Sequence, residues 1–436
     1  MKKFYISLVA VLSLSIMGFR TAFAQGVLDP DDTLVTYNPN NPPATPPYGT
    51  VSKWVRTQRL NWNTKDWKAY YYNGIAFRVI FPKSYKANPS KKYPLLVFFH
   101  GEGEKGTIYD NELQLANCAQ KIGDSVLKGT FDAFVVFPQS TYGGWAGTQF
   151  TTVAEFINYM IDNARVDRNR IVASGLSSGG DGAWRFIGAY PKLVAACVPI
   201  SATNATEADA GFINTIKDIP IWLSQGGKDT NPSQAFTDNI VSILNNAGID
   251  MRTVQPGEEG LGPVSEGYYI VYPNNGHNSW DAHFSEPLAF QYMLKAYKSN
   301  PHVYFGRREF CPGTPLNLKL EVTAGFDGYE WSRNGVVITG ANTNSITVTD
   351  TGTYAARIKD GNNWSEWSPW PASITFKATT QTPPIKVSGL MSRVIPAPDG
   401  NTSVKLEEPA GYASYEWRNS SGQVMGTDRV FTASQP

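Results

Sequence analysis

The chain has 436 residues, 42% of them hydrophobic, and its 38 basic and 37 acidic side chains leave a formal net charge of +1. This is the length and apolar content of a folded protein of two to four domains, and so even a charge balance excludes both a broad basic field for nucleic acid and an acidic tail. The three cysteines, Cys118, Cys197 and Cys311, make no disulfide framework, and none sits in a CxxC pair of the kind used for zinc or redox chemistry.

The first residues, "MKKFYISLVAVLSLSIMGFRTAFAQG", place Lys2 and Lys3 before an apolar stretch and end in the small-x-small triplet Ala22-Phe23-Ala24. They read as an export signal, residues 1–24, cut before Gln25. Arg20 closes the apolar run short of the roughly 20 residues that span a bilayer, and no later stretch could do so. An exported protein without an integral membrane segment after signal removal is expected, in the extracellular space, at the cell surface or in the periplasm. Residues 25–69 read as a Pro/Asn-rich linker and N-terminal extension, because a run such as "YNPNNPPATPPYG" cannot bury a core.

From residue 70 to 300 short apolar runs alternate with amphipathic ones. "IAFRVIF", "PLLVFFH", "AFVVFP", "RIVASG", "AACVPIS", "IPIWLSQ" and "YYIVYP" predict strands; "TTVAEFINYMIDNA", "SQAFTDNIVSILNNAG" and "EPLAFQYMLKAY" predict helices. Such alternation implies an α/β domain, doubly wound, with a mostly parallel sheet covered on both faces. Cys197, within "LVAACVPI", is expected to pack as a small hydrophobe.

Beyond Pro301 the alternation stops, and β-branched runs with turn residues predict small all-β sandwich domains over residues 302–377 and 383–436. "GFDGYEWSRNG" at 325–335 returns as "GYASYEWRNSSG" at 411–422, pairing Trp331 with Trp417. With Trp331 as a core residue and Tyr354 of "DTGTY" at a tyrosine corner, the first copy resembles an immunoglobulin or fibronectin type III domain, although Ala356 stands where the disulfide-bonded pattern has cysteine. "WSEWSPW" resembles the Trp-Ser repeat of some fibronectin type III domains and makes Arg357 a candidate for stacking between tryptophans. The second copy stops before any counterpart of "DTGTY" and is expected to be incomplete.

The chemistry is carried by Gly175-Leu176-Ser177-Ser178-Gly179, a G-x-S-x-G motif between a predicted strand and a helical pattern. Flanking glycines allow a sharp turn that lifts Ser177 above the sheet beside a helix N-terminus. A serine hydroxyl needs a base, and the base an orienting carboxylate. Of four histidines, His277 follows a glycine in the polar loop "NNGHNSW" after the last predicted strand and is the candidate base. His283 is taken as a surface or capping residue, and His100, at the end of a strand, as structural. Between 177 and 277, Asp229 follows an apolar strand and a Gly-Gly turn and is the candidate orienter, with helix capping as its competing role. Two backbone donors are needed for the oxyanion: the N–H of Ser178 and one from the loop "GEGEKG". Tyr142, Trp145 and Trp280 are candidate substrate-binding aromatics, with core packing as their competing role. No spacing suggests a metal or cofactor.

"YPLLVFFHGEGEKG", "VDRNRIVASGLSSGGDGAW", "YPKLVAACVPIS" and "NNGHNSW" together resemble α/β-hydrolase esterases of the polyhydroxybutyrate depolymerase and feruloyl or acetyl xylan esterase group, which includes proteins called predicted peptidases. The resemblance implies Ser177 as nucleophile, His277 as general base, Asp229 as its orienter, and Glu102 with Ser178 as oxyanion donors, Gly103 being the alternative to Glu102. The expected partner is an ester substrate, on plant polysaccharide or a polyester. A secreted serine peptidase on the same fold, or a carbohydrate-binding surface protein with an inert hydrolase domain, are the alternatives.

Overall fold

The computed structural model describes residues 27–141, 144–202, 210–260, 267–378, 385–387, 395–396, 398, 400 and 402–434. The expected export signal and Tyr142 lie outside the described residues. The described residues divide into two compact units, one comprising residues up to Glu309 together with Pro315–Thr375, the other Phe310–Thr314 with the segment from Phe376 onward.

The first unit is built on a ten-stranded mixed sheet. In chain order its strands and helices are β1 (Ser52–Lys53), β2 (Lys68–Tyr72), β3 (Ile75–Ile80), β4 (Tyr93–Phe99), α1 (Ala119–Lys128), β5 (Phe134–Pro138), α2 (Thr148–Asn163), β6 (Val166–Leu176), α3 (Ser178–Ala189), β7 (Ala196–Ile200), α4 (Ala210–Ile216), β8 (Trp222–Gly226), α5 (Gln234–Asn246), β9 (Met251–Val254), β10 (Gly267–Tyr272), α6 (Trp280–His283) and α7 (Pro287–Lys295). The spatial order is β9-β10-β8-β7-β6-β4-β5-β3-β2-β1. From β9 to β5 every neighbouring pair is parallel, and β3, β2 and β1 add antiparallel strands at one edge.

Strand β4 shows why the sheet is covered on both sides. Its side chains alternate across the pleat: Leu95, Val97 and Phe99 pack with Val153, Phe156 and Ile157 of α2 and Phe186 of α3, whereas Leu96 and Phe98 pack with Ile122 and Val126 of α1 and Leu288 of α7. Each of these strand residues is fully buried, worth about 1.5–3 kcal/mol per large side chain. Cys197 lies in the same core at 0% exposure.

The chain order reverses at β4, which has β5 on one side and β6 on the other. In open α/β sheets a crevice forms outside the strand carboxyl ends at such a switch point. The loops after β4 and β6 meet there.

The segment read as linker and extension contributes to the sheet. β1 pairs with β2, and Trp54 and Trp67 are buried. The polar run around 38–50 obscured this, because the apolar positions that anchor the extension are single tryptophans rather than a periodic pattern. Arg78, fully buried in β3, donates to the carbonyls of Trp67, Asn111 and Thr64.

The same unit continues into two antiparallel sheets, in which Leu318–Glu321 pairs with Ser345–Val348 and Gly328–Arg333 with Gly352–Asp360. Trp331, on the strand Gly328–Arg333, is fully buried and donates to Thr343 O at 2.9 Å. Tyr354 donates to Asp350 O at 2.9 Å, and the Arg357 guanidinium lies 4.9 Å from the ring centres of both Trp364 and Trp367. In the second unit Val404–Glu407 pairs with Val430–Ala433. The repeat preserves a local hydrogen-bonding pattern: Tyr329 donates to Thr323 O at 3.3 Å and Tyr415 to Pro409 O at 3.1 Å, each six residues back.

Candidate active site

The turn after β6 is shaped by its glycines. A Cβ on Gly175 would lie 2.2 Å from Gly179 O, and one on Gly179 would lie 2.1 Å from Phe99 O, so strand β4, strand β6 and helix α3 approach as closely as they do only with both glycines in place. Ser177 between them has φ 55° and ψ −125°, a conformation that costs a non-glycine residue of order 1–3 kcal/mol. Its N–H donates to Ile200 O at 3.0 Å, and its carbonyl accepts from Gly180 N at 2.9 Å. The turn therefore holds the strained residue from both sides, and this is the geometry of a nucleophile elbow.

Ser177 Oγ lies 2.8 Å from Nε2 of His277, and Nδ1 of the same ring lies 2.9 Å from Oδ2 of Asp229. Three residues remote in the chain thus converge at the carboxyl ends of β6, β8 and β10. Asp229 is 2% exposed at its side chain; it also accepts from Asn231 N at 2.9 Å and from the Gln225 amide at 3.4 Å. The competing role of Asp229 as a cap falls to another residue, since Ser233 caps α5 by accepting from Phe236 N. The His277 loop is tied down by Ser279, whose hydroxyl meets that of Ser201 at 2.8 Å, both side chains being fully buried.

The second loop of the crevice, Gly101 to Gly106, is fixed by His100. Ser140 N–H donates to His100 Nε2 at 2.9 Å, so that nitrogen is the acceptor and Nδ1–H donates to Gly101 O at 2.7 Å. Both contacts suit a neutral ring, and burial lowers the His100 imidazole to about 4. Gln139 adds a clamp, its amide donating to Glu104 O at 2.7 Å and Ser140 O at 3.1 Å. Glu104 is buried beside Asn117, and its burial raises its carboxyl above the usual range. In this loop Glu102 opens the short helical turn Glu102–Glu104, and its carboxylate, 66% exposed, turns outward to Lys105 at 3.0 Å. Ser178 is the first residue of α3, where a backbone N–H has no intrahelical acceptor.

The aromatic candidates separate. Trp280 stands edge-on to the His277 ring, with centroids 5.5 Å apart and planes at 89°. Trp145 is 1% exposed and spends its indole N–H on His100 O at 3.0 Å, packed against Phe99. It is core support beneath the loop rather than an open pocket wall. Tyr142 lies outside the described residues. His283 is not at the surface: it is fully buried against Trp222 and Phe284, and burial lowers its imidazole to about 3.

Sequence reasoning missed Gln139, Ser201 and Ser279, held by contacts distant along the chain, and Gln225, held close by in the chain by Pro232 O and Thr237 Oγ1. The one legible signal was position, since Gln139 and Gln225 both end apolar strand runs facing the crevice. Among the described residues no group of three or more His, Cys, Asp or Glu side chains could hold a metal ion, and no helix is long and apolar enough to cross a membrane.

Neither a protein-family model nor a curated protein matches the sequence. Among solved structures, a thermostable esterase is 26% identical with a TM-score of 0.45, over 54% of this chain and 64% of its own. A ferulic acid esterase is 19% identical with a TM-score of 0.38, over 50% of this chain and 93% of its own. A mutant feruloyl esterase module from Clostridium thermocellum, complexed with sinapinate, is 16% identical with a TM-score of 0.39, over 63% and 95%.

Proposed function

We propose that the chain is a secreted serine hydrolase of carboxylic esters on the α/β-hydrolase fold, acting through an acyl-enzyme. The observation that carries this reading is the unbroken line from Ser177 Oγ through His277 to Asp229, at 2.8 and 2.9 Å. Ser177 attacks the ester carbonyl and His277 Nε2 takes its proton. The oxyanion is held by the N–H of Ser178 and one from the Glu102-Gly103 turn. His277 then returns the proton to the departing alcohol, and water repeats the sequence on the acyl-Ser177 ester. Asp229 holds the imidazole in the tautomer that leaves Nε2 free to accept.

The substrate class proposed is acyl or aryl ester on polysaccharide. The His277 side chain is 38% exposed, and a base this close to solvent suits an ester presented on a polymer. The all-β part of the chain is proposed to be immunoglobulin- or fibronectin III-like, supported by the Tyr354 corner and the stacked Arg357, and to space or hold the catalytic domain at its substrate.

Turnover of p-nitrophenyl acetate by wild type and Ser177→Ala tests the reading. The variant should lose about 10⁴-fold or more in kcat; equal rates in the two proteins would overturn it.

A further inference from the structure

At the opposite end of β6 from Ser177 lies a cleft of about 430 Å³ between the α/β sheet and the first sandwich, lined by Arg168, Tyr190, Lys192, Leu193, Lys298 and Asp360. Arg168 lies before the regular part of the strand, which starts at Ile171; the stretch from Ile171 to Ser177 alone spans about 20 Å at 3.3 Å per residue. The cleft is therefore separate from the catalytic crevice.

Its charges do not balance. Arg168 is paired with Asp360 at 3.2 Å, and with Asp167 as the second carboxylate acting on Lys298, the three cations Arg168, Lys192 and Lys298 outnumber the acids by one. Both ammonium groups face one ring, Phe326, at 5.0 and 5.7 Å from its centre. Lys298 is only 6% exposed, and among the described residues its ammonium has no hydrogen-bonding or ion-pairing partner. A buried cation that touches no carboxylate directly is costly, and a π face shared with a second cation compensates little of that.

We propose that this cleft binds a small organic carboxylate, its anionic group on Lys298 and Lys192 and its body against Tyr190 and Leu193. The apolar half of the wall favours a singly charged organic acid over a strongly hydrated inorganic anion. The acid could be supplied as a sugar acid or as an aromatic one; the shared chemistry is the carboxylate. Burial lowers Lys298 to about 7, with Arg168 and Lys192 acting in the same direction and Asp360 and Asp167 against it. Affinity should then fall as the pH rises through that value and the ammonium is lost.

Calorimetric titration of the full chain with galacturonate, benzoate, galactose and inorganic phosphate tests the proposal and separates the two sources. Galacturonate, benzoate or both should bind, at least tenfold more tightly than galactose, and bind more weakly at high salt. Lys298→Met should weaken binding at least tenfold, with its thermal unfolding followed as the control for folding. Asp360→Asn, at a partly exposed position and measured at a pH well below the Lys298 titration so that the ammonium is kept, should tighten binding by freeing Arg168, and it tests the site independently should Lys298→Met fail to fold. Absence of binding by both acids, affinity unchanged in Lys298→Met, or tighter binding of phosphate than of either acid would overturn it.

Discussion

The carboxylate of Asp229 receives the Nδ1–H of His277 at 2.9 Å from a position almost closed to solvent. An asparagine there could donate its own N–H to Nδ1, driving the ring proton to Nε2 and leaving Ser177 without an acceptor. Asp229→Asn should therefore lower kcat by about 10⁴-fold while KM for a p-nitrophenyl ester stays near wild type. Steady-state kinetics on the two proteins decide it, and a variant retaining half the wild-type kcat would remove Asp229 from the proposed triad.

Gln139 holds the loop that would supply the second oxyanion donor, through its bonds to the carbonyls of Glu104 and Ser140. Gln139→Leu keeps the volume and removes both bonds. A displacement of the order of 1 Å in such a loop is worth about 10² in rate. The expected loss is in kcat, with Gln139→Glu, which keeps an acceptor but not the donors, no better than leucine. An unaltered kcat in Gln139→Leu would mean that the loop is positioned without it.

The parts of this molecule that could be read from sequence are those whose cause is local. The apolar strand, the two glycines around Ser177 and the helical pattern after them are contiguous, and the order of Ser177, Asp229 and His277 follows from the order of strand ends. What stayed hidden depends on partners far away in the chain. Nothing in the strand run "IAFRVIF" tells where Arg78 points, and three backbone carbonyls from the preceding extension and the loop near Asn111 enclose it. His283 reads as a surface or capping residue, yet Trp222 and Phe284 close over it. Trp145 shows the same limit from the other side, since an aromatic near a site and an aromatic beneath it have the same spacing.

The buried Arg78 is also what ties the extension to the sheet. Its charge sits near Glu112, which is 2% exposed and accepts from Arg59 N at 2.5 Å and Leu60 N at 3.1 Å; burial lowers Arg78 to about 9 and Glu112 opposes that shift. Removing Arg78 leaves the buried carbonyls of Trp67, Asn111 and Thr64 without their donor, while Glu112 keeps Arg56 as a cation at 3.9 Å. Arg78→Met should cost about 3–5 kcal/mol, read from the urea midpoint at constant slope. It should also make residues 52–72 the first region cut by limited proteolysis. A cost under 1 kcal/mol would mean that the carbonyls around Arg78 find other donors.

His283 makes stability depend on acid. Its imidazole is lowered to about 3 in the folded protein by burial alone, against about 6.5 in an unfolded chain. Between those values the unfolded state binds the extra proton, so the folded state loses stability as the pH falls below 6.5. At 1.36 kcal/mol per pH unit, the loss by pH 5 is about 2 kcal/mol from this one group. Its two ring nitrogens have no hydrogen-bond partner among the described residues, so His283→Leu sacrifices no bond. The variant should match wild type within about 1 kcal/mol at pH 7.5 and exceed it at pH 5, with the difference between the two proteins growing in that direction. Denaturation curves at the two pH values measure this directly, and parallel losses in both proteins would assign the acid sensitivity to His100 or to carboxylates instead.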